Sequence, residues 1–447
     1  MEEEDVTIDT NSREIVLDIL MEILEKGNLS HLVLKQALEK YQYLEKQDRA
    51  FITRITEGTL EYLIQIDAVI NRYSKVKVNK MKPVIRTLLR MSVYQILYMK
   101  RVPDSAVCNE AVKLAKKRKF QGLTGFVNGV LRNISREKET LTFASAAETY
   151  SIPQWMFDMW KKEYGTETAE TIAASFLEDR PLTVRCNTSL ATVEEIRDSL
   201  YAQGIQSEIS EISDTMLSIH GYDYLDMVEV FAEGKITVQD VSSSLVGKIA
   251  SPNAGDFVLD VCSAPGGKSL HVADLLAGTG MVESRDLTEY KIGLVEENIA
   301  RCGFTNMQTQ VWDATEFDAS MEGKADIVLA DLPCSGLGII GKKPDIKMRL
   351  KEEELDSLAA LQREILAVVS KYVKPGGTLI YSTCTINRKE NEDNAAWIAE
   401  HLPFKKKEIG SVLPDALKQD CVENRIQLLP GIHPCDGFFI AAFEREA

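Results

Sequence analysis

The chain has 447 residues and a formal net charge of −16; 45% of its residues are hydrophobic, 7% aromatic and 27% charged. This length is typical of about three domains, and the acidity argues against a whole surface that binds nucleic acid nonspecifically. No apolar run approaches the ~18 residues of a membrane span, and residues 1–5 (MEEED) are unlike a basic signal peptide. We therefore expect a soluble, cytoplasmic protein without a membrane partner.

The eight cysteines are scattered through the chain without any Cys-x-x-Cys pair, and there are only five histidines. Zinc sites in proteins use closely spaced cysteines and histidines, and disulfide frameworks are typical of much shorter secreted chains. The sequence therefore predicts free thiols and no bound metal.

The first third of the chain has the apolar spacing of helices from residue 11 to about 135, which predicts an all-α bundle of about six helices. Asn11 followed by Glu14 fits a capping box at the start of the first helix. Residues 1–140 carry 24 Lys/Arg against 19 Asp/Glu, whereas the remainder of the chain carries 28 against 49. We therefore expect an anionic partner to bind the first third of the chain rather than the acidic remainder. The further predicted helices cover residues 30–41, 47–73, 82–99, 105–118 and 123–134.

A basic cluster lies at the end of one of these helices and has two interpretations. Cations there can complement the helix dipole and face solvent, or they can contact phosphates. The cluster consists of Lys113, Lys116, Lys117, Arg118 and Lys119.

The middle of the chain mixes helices and strands. Residues 136–150 lose periodicity and are typical of a linker. Helices are predicted at 155–160, 166–177 and 192–203 and a strand at 182–187, followed by short alternating segments to residue 238. This pattern favours a small α+β domain, and no activity follows from it alone.

From residue 239 onward, strands and helices alternate regularly. Such alternation predicts a parallel sheet covered by helices, which binds ligands at the carboxyl ends of its strands. Two later segments, 426–429 and 437–443, are expected to close the sheet as an antiparallel pair. The predicted strands are 257–261, 280–284, 308–312, 325–331 and 377–383, and the predicted helices are 267–277, 287–302 and 352–373.

A tight turn between the first of these strands and its helix predicts a cofactor site. Gly266 and Gly267 allow close approach of a ligand to the backbone, and the helix start offers free N–H groups. Asp286 follows the next strand, where nucleotide-binding βαβ units place an acid on the ribose; alternatively, it caps a helix that begins near residue 287. The absence of a Gly-x-Gly-x-x-Gly motif disfavours NAD.

Two cysteines also follow strand ends of this sheet. Cys334 lies in Asp331-Leu-Pro-Cys-Ser-Gly and Cys384 in Ser382-Thr-Cys-Thr, so both are expected at the rim that carries the turn. A single cysteine is more often a small buried residue than a nucleophile. Two thiols beside a carboxylate and a nucleotide-type site favour covalent catalysis, whereas Cys262, inside the turn, is expected to pack.

Resemblances to known families support this interpretation. Residues 12–135 resemble NusB-family RNA-binding domains, notably in Asp48-Arg-Ala-Phe and Gly125-Phe-Val-Asn-Gly-Val-Leu-Arg-Asn. Ala-Pro-Gly-Gly-Lys, Asp-x-Pro-Cys-Ser-Gly and Ser-Thr-Cys-Thr resemble the Nol1/Nop2/Sun family of S-adenosylmethionine-dependent RNA cytosine-C5 methyltransferases, especially its bacterial small-subunit rRNA enzymes. The resemblance implies a NusB-like domain (1–140), a small α+β RNA-binding domain (141–238) and a Rossmann-like methyltransferase domain (239–447).

The resemblance also implies roles for individual residues. Cys384 would be the nucleophile, Cys334 would assist product release, and Asp331 would border cofactor and base. Asp286 would hold the ribose of S-adenosylmethionine and Asp313 would lie next to its adenine. The methionine end of the cofactor would lie in the loop formed by Cys262, Ser263, Ala264, Pro265, Gly266, Gly267 and Lys268.

The implied substrate is a cytosine in 16S rRNA, free or in a partly assembled small subunit, and the enzyme is expected to be a monomer. The same chemistry on tRNA or another structured RNA remains open, as does a catalytically inert NusB-like RNA-binding factor. The loop that contains Cys334, called the Cys334 loop below, is followed by four cations: Lys342, Lys343, Lys347 and Arg349. These cations are expected either to hold phosphates or to form a solvated loop.

Overall fold

A computed structural model describes residues 11–447, so the acidic start at residues 1–5 lies outside the described residues. The described residues form two compact units. The helical unit contains the chain up to Glu178 together with Ile340–Arg349, and the sheet unit contains Asp179–Ile339 and Leu350–Ala447. No helix in the described part of the chain is both long and apolar enough to cross a bilayer.

The helical unit is an all-α bundle, as predicted. Its core consists of aliphatic side chains at helical spacing, such as Ile15, Ile19 and Ile23 on the first helix. Numbered in chain order, its helices are α1 (Ser12–Leu24), α2 (Ser30–Lys40), α3 (Lys46–Glu61), α4 (Leu63–Tyr73), α5 (Pro83–Tyr98), α6 (Asp104–Lys117), α7 (Thr124–Glu137), α8 (Ala146–Thr149), α9 (Gln154–Tyr164), α10 (Thr166–Ser175) and, much later in the chain, α16 (Ile346–Arg349).

Two details of the bundle differ from the prediction. The helix predicted at 47–73 is interrupted at Tyr62, whose backbone leaves the helical region at φ −98° and ψ 16° and whose ring stacks on Tyr98 with centroids 4.0 Å apart. Asn11 caps α1 by accepting from the Arg13 amide at 2.9 Å. No reciprocal capping box forms, because the Glu14 carboxylate pairs with Lys117 and Arg118 instead.

The segment Ile340–Arg349 follows the Cys334 loop in the chain, yet it packs within the helical unit. Ser30 Oγ donates to Asp345 Oδ1 at 2.6 Å, Lys347 Nζ donates to the carbonyl of Glu61, and Met348 packs against the core. Lys347 is only 5% exposed. The interpretation of Lys347 as a phosphate contact or a solvated residue was therefore wrong, because burial keeps its ammonium from both water and phosphate.

The sheet unit begins with a small antiparallel sheet of strand order β2-β3-β1-β4. Val184 and Leu217, partners across β1 and β3, are both fully buried in its core. This is the small α+β arrangement expected from the sequence. Its elements are β1 (Leu182–Cys186), α11 (Val193–Ala202), β2 (Gln206–Ser210), β3 (Ser213–His220), α12 (Glu229–Ala232) and β4 (Ile236–Val238).

The larger sheet has nine strands, of which eight follow the order β11-β12-β13-β9-β8-β5-β6-β7, while β10 pairs with β13. Its elements are α13 (Val241–Ala250), β5 (Phe257–Asp260), α14 (Gly267–Leu275), β6 (Met281–Asp286), α15 (Glu289–Cys302), β7 (Met307–Val311), β8 (Ala325–Asp331), α17 (Glu354–Val369), β9 (Val373–Thr383), α18 (Glu392–His401), β10 (Phe404–Lys406), β11 (Cys421–Val422), β12 (Arg425–Leu428) and β13 (Phe438–Arg445).

Five strands of this sheet, from β7 through β6, β5 and β8 to β9, run parallel. The antiparallel closing pair is also as predicted, with Ile426 opposite Ile440. Successive β5 residues lie in separate hydrophobic clusters, Val258 in one and Leu259 in the other, because strand side chains alternate between faces. The sheet is therefore covered on both sides, and polar groups meet at the carboxyl ends of its strands.

Candidate active site

The turn between β5 and α14 leads the chain directly from the sheet into a helix. The Ala264–Pro265 peptide bond is cis, and Gly266 has φ +103°, a conformation that side chains disfavour. A Cβ on Gly266 would lie 3.2 Å from Val295 Cγ1. Ser263 Oγ is buried and makes no hydrogen bond within the described residues. The turn thus combines a close backbone approach with an unsatisfied hydroxyl.

Asp286 ends β6, and its carboxylate ties that strand to the turn. It accepts from the Ala264 amide at 3.0 Å, from the Leu287 amide at 2.8 Å and from Lys291 Nζ at 2.8 Å. It does not cap the following helix, because Thr288 does so through its side chain. Asp286 therefore borders the turn, as the sequence led us to expect.

Two further residues assigned to the cofactor differ in exposure. Asp313 follows β7 and is exposed; hydrogen bonds from the amide and hydroxyl of Thr315 lower the pKa of its carboxyl. Cys262 is partly buried and packs against apolar side chains beneath the rim, and burial raises the pKa of its thiol. Packing is therefore what the structure shows for Cys262.

Lys268 connects the turn to the end of β8. Its ammonium lies 2.6 Å from Asp331 Oδ2, while Asp331 Oδ1 accepts from Ser382 Oγ at 2.8 Å. Burial opposes the charged form of Lys268, but the Asp331 carboxylate outweighs it and raises the pKa of the lysine. This ion pair, together with the hydrogen bond from Ser382, thus links the turn after β5 with the ends of β8 and β9.

The two candidate cysteines lie in contact. Asp331 and Ser382 are partners across β8 and β9, and the Leu332 amide extends this pairing by donating to the Ser382 carbonyl at 3.1 Å. The chain then brings Cys334 Sγ within 3.4 Å of Cys384 Sγ, although 50 residues separate them. Both cysteines are partly exposed at the rim, so a substrate has access to the pair.

The charges around the two thiols differ. The hydrogen bond with Cys384, burial and the carboxylates of Glu390 and Asp331 raise the pKa of the Cys334 thiol well above its ordinary value. Cys384, by contrast, interacts electrostatically with the Lys268 ammonium. The arrangement thus favours a proton on Cys334, while Cys384 lies within the electrostatic influence of a cation.

Comparison with known proteins identifies the family to which this chain belongs. The family model described as 16S rRNA methyltransferase RsmB/F matches residues 248–444, the NusB model matches 10–136, and a ferredoxin-like domain model of RsmF/B-like methyltransferases matches 152–222. A relative from Bacillus subtilis (strain 168), named probable ribosomal RNA small subunit methyltransferase B, is 36% identical over 98% of this chain and 99% of its own. The chain belongs to the RsmB/F methyltransferase family.

Other relatives agree with this membership. Ribosomal RNA small subunit methyltransferase B of Shewanella oneidensis is 30% identical over 96% of this chain and 98% of its own. The crystal structure of PH0851 superposes with a TM-score of 0.83 at 28% identity and covers 98% of this chain and 100% of that one. The structure of NSun6 from Pyrococcus horikoshii with SFG has a TM-score of 0.58 at 21% identity, covers 66% of this chain and 98% of its own, and shares the fold.

Sequence reasoning missed a group of buried polar residues beneath the cysteines of this family member. Glu390, fully buried, accepts hydrogen bonds from Ser335 and Gln362, and Ser335 Oγ lies 2.6 Å from Thr385 Oγ1. The available signal was the polar run from Asn387 to Asn391 shortly after a strand end. Three of its polar residues become buried, namely Asn387, Glu390 and Asn391, which is unusual for such side chains.

Proposed function

We propose that this protein transfers a methyl group from S-adenosylmethionine to carbon 5 of a cytosine in 16S rRNA through a covalent adduct of Cys384. The observation that carries the proposal is the 3.4 Å contact between Cys334 and Cys384 at the rim beside the cofactor turn. Family membership supplies the reaction class, and the names of the relatives supply the small-subunit rRNA as substrate.

The chemistry explains why a thiol is needed. Carbon 5 of cytosine is too weakly nucleophilic to take a methyl group, but addition of a thiolate at carbon 6 moves an electron pair onto carbon 5. Cys384 suits this first step because its negative charge is favoured by the nearby Lys268 ammonium. Asp331 is held between Lys268 and Ser382, where it borders both the cofactor turn and the cysteines.

The second thiol completes the reaction. After carbon 5 has taken the methyl group, its proton must leave so that the carbon–carbon double bond reforms and the Cys384 thiolate is expelled. The contact with Cys384 is the largest cause of the raised pKa of Cys334. Once the sulfur of Cys384 is bonded to carbon 6, it no longer holds charge, so Cys334 releases its own proton to water more readily. The resulting Cys334 thiolate can then take the proton from carbon 5.

The turn fits the proposed cofactor. When bound, S-adenosylmethionine supplies an electrophilic methyl group on a sulfonium. The unsatisfied Ser263 hydroxyl and the start of α14 offer polar partners for its amino-acid end. We assign the loop of residues 262–268 to this end, Asp286 to the ribose and Asp313 to the adenine. Asp331 would then lie between cofactor and base.

The substrate base must be unstacked or single-stranded, because a paired cytosine hides carbons 5 and 6 within the helix. The NusB-like match makes the helical unit the proposed first contact with RNA. We further propose that the enzyme acts in the cytoplasm as a monomer, on rRNA that is free or in a partly assembled small subunit. Two alternative functions remain to be separated: the same reaction on tRNA, and RNA binding without catalysis.

The decisive experiment incubates the full-length protein with labelled S-adenosylmethionine and either naked 16S rRNA or bulk tRNA. We expect label at carbon 5 of a cytosine in 16S rRNA, none with Cys384→Ala, and a covalent RNA adduct on denaturing gels with Cys334→Ala. Label in tRNA alone would overturn the choice of rRNA. Absence of any transfer by wild-type protein that binds RNA would support the inert factor.

A further inference from the structure

Glu390 is a fully buried carboxylate whose two oxygens both accept hydrogen bonds. Oε2 accepts from the Ser335 amide and from Gln362 Nε2, each at 2.9 Å. Oε1 accepts from Ser335 Oγ at 2.5 Å and from Asn387 Nδ2 at 2.9 Å. A carboxylate removed from water needs such compensation, and here four polar donors supply it.

These bonds connect Glu390 to both cysteine loops. Ser335 follows Cys334 in the chain, and Thr385 follows Cys384; their hydroxyls lie 2.6 Å apart. Since Ser335 Oγ donates to Glu390, it accepts from Thr385. The two loops are thus joined through one carboxylate and one pair of hydroxyls.

Two further hydrogen bonds hold the Cys334 loop and the main chain at Glu390 in place. Gln362 Nε2 on α17 also bonds the carbonyl of Pro333 at 2.9 Å, directly before Cys334. The Tyr381 hydroxyl on β9 donates to the main-chain carbonyl of Glu390. Strand pairing ends near Asp331 and Ser382, so it does not by itself position the Cys334 loop. The buried contacts add to one main-chain bond between the loops, from the Gly338 amide to the Cys384 carbonyl at 3.1 Å.

We propose that Glu390 is a positioning residue that holds Cys334 against Cys384, so that proton removal from carbon 5 and expulsion of Cys384 follow methyl transfer. This inference rests on the proposed function. The role acts on the release step more than on adduct formation, because Cys384 directly follows β9, and the pairing of that strand positions it without Glu390.

Glu390→Gln tests the proposal with little change in size. A glutamine presents one acceptor oxygen and one NH₂ group to a site lined by four donors, so at least one donor loses its acceptor. We expect the Cys334 loop to move away while Cys384 still adds to RNA. In single turnovers, the ratio of released methylated RNA to covalent adduct should fall at least ~10-fold, or about 1.4 kcal/mol in the release step.

Glu392→Gln is the matched control. It makes the same change two residues along the chain, at a partly buried side chain that, within the described residues, makes no hydrogen bond to Ser335 or Thr385. It should leave the ratio within about twofold of wild type. Thermal unfolding of each variant gives the folded fraction. A purely structural role for Glu390 would lower adduct and product together, in step with that fraction, and would overturn the proposal.

Ser335→Ala serves as a second variant should Glu390→Gln fail to fold. It removes the hydroxyl link between Thr385 and Glu390 but keeps the amide bond to Oε2, so the same ratio should fall several-fold. An unchanged ratio in folded Ser335→Ala protein would contradict the proposal. Failure of the proposed function is distinct, because wild-type protein would then form neither adduct nor methylated RNA.

Discussion

Two lysines, the partly buried Lys268 in the sheet unit and the buried Lys347 in the helical unit, have pKa values that shift in opposite directions. Lys268, in the sheet unit, lies 2.6 Å from Asp331, which raises its pKa despite burial. Lys347, in the helical unit, donates to the Glu61 carbonyl; burial, only partly offset by the Glu61 charge, lowers its pKa to about 7. A buried lysine therefore keeps its charge only where a carboxylate compensates it directly.

The comparison shows that partners, rather than residue type, decide what a lysine does. The raised pKa of Lys268 favours a positive charge beside Asp331 and Cys384. Lys347 serves as a hydrogen-bond donor that fastens the segment Ile340–Arg349 to the helical unit. Substitutions at the two positions should accordingly affect different measurements.

The largest effect is expected for Lys268→Met. Loss of the ammonium leaves Asp331 uncompensated and removes the positive charge near Cys384, so methyl transfer should fall by about 10²–10³-fold. Lys374→Met is the control, since Lys374 pairs with Asp326 at 2.7 Å, where β8 and β9 begin rather than end. Initial rates of methyl transfer with labelled cofactor are measured for both variants. Equal losses of rate would show that the two ion pairs matter only for the stability of the protein.

Asp331→Asn should reduce transfer by about 10²-fold and change its pH dependence. Without the carboxylate, the effect of burial is opposed only by the smaller contributions of Cys384 and Asp260, so the pKa of Lys268 should fall. The lysine then loses its charge as the pH rises, so residual activity should decline toward alkaline pH over a range in which wild-type activity does not. A pH–rate profile of the same shape as wild type would show that Asp331 does not maintain the charge of Lys268.

The same rule applied to surface lysines predicts where the helical unit would bind RNA, if it makes the proposed first contact. In the α6 cluster, Lys113, Lys117 and Arg118 pair with acids, which weakens the phosphate interpretation of that cluster. Between α4 and α5, four exposed lysines have no acidic partner among the described residues. These are Lys75, Lys77, Lys80 and Lys82.

Changing those four lysines to glutamine should weaken RNA binding about 10-fold and reduce its salt dependence. Each lost phosphate contact lowers the slope of log affinity against log salt concentration by about 0.7–0.9. The matched control changes Lys113, Lys116, Lys117 and Lys119, which should alter affinity only about twofold. Filter binding across salt concentrations distinguishes the two sets. A larger loss from the α6 set would reverse the assignment.

The smallest effect on catalysis is expected for Lys347→Met. In the unfolded chain this lysine holds its proton up to about pH 10.4, whereas in the folded chain it loses it near pH 7, so stability rises with pH between these values by up to ~1.4 kcal/mol per unit. Methionine should flatten this rise and leave transfer within about twofold. Urea unfolding between pH 7 and 10 measures the slope; an unchanged slope would show that Lys347 is not its source.

Much of the fold was predictable from local patterns. Apolar spacing distinguished the helical bundle from the strand-helix alternation, and the glycine turn marked the end of β5, because both signals arise within a few neighbouring residues. The interruption at Tyr62 was not visible, since an aromatic residue is compatible with helix and the ring that Tyr62 stacks on, Tyr98, belongs to another helix. The domain boundaries at residues 140 and 238 and the role of each site residue stay predictions.

The sequence by itself determined which reactive groups lie at or just after strand ends, namely Asp286, Asp331, Cys334 and Cys384. It also placed them at one rim of the sheet, because parallel strands have their carboxyl ends at the same edge. Only the tertiary structure decided which of them touch. Contact between Cys334 and Cys384 requires β8 and β9 to be neighbours, and the burial of Lys347 depends on helices almost 300 residues earlier. The Glu390 contacts likewise join segments that no local pattern connects, since strand order and long-range packing set them.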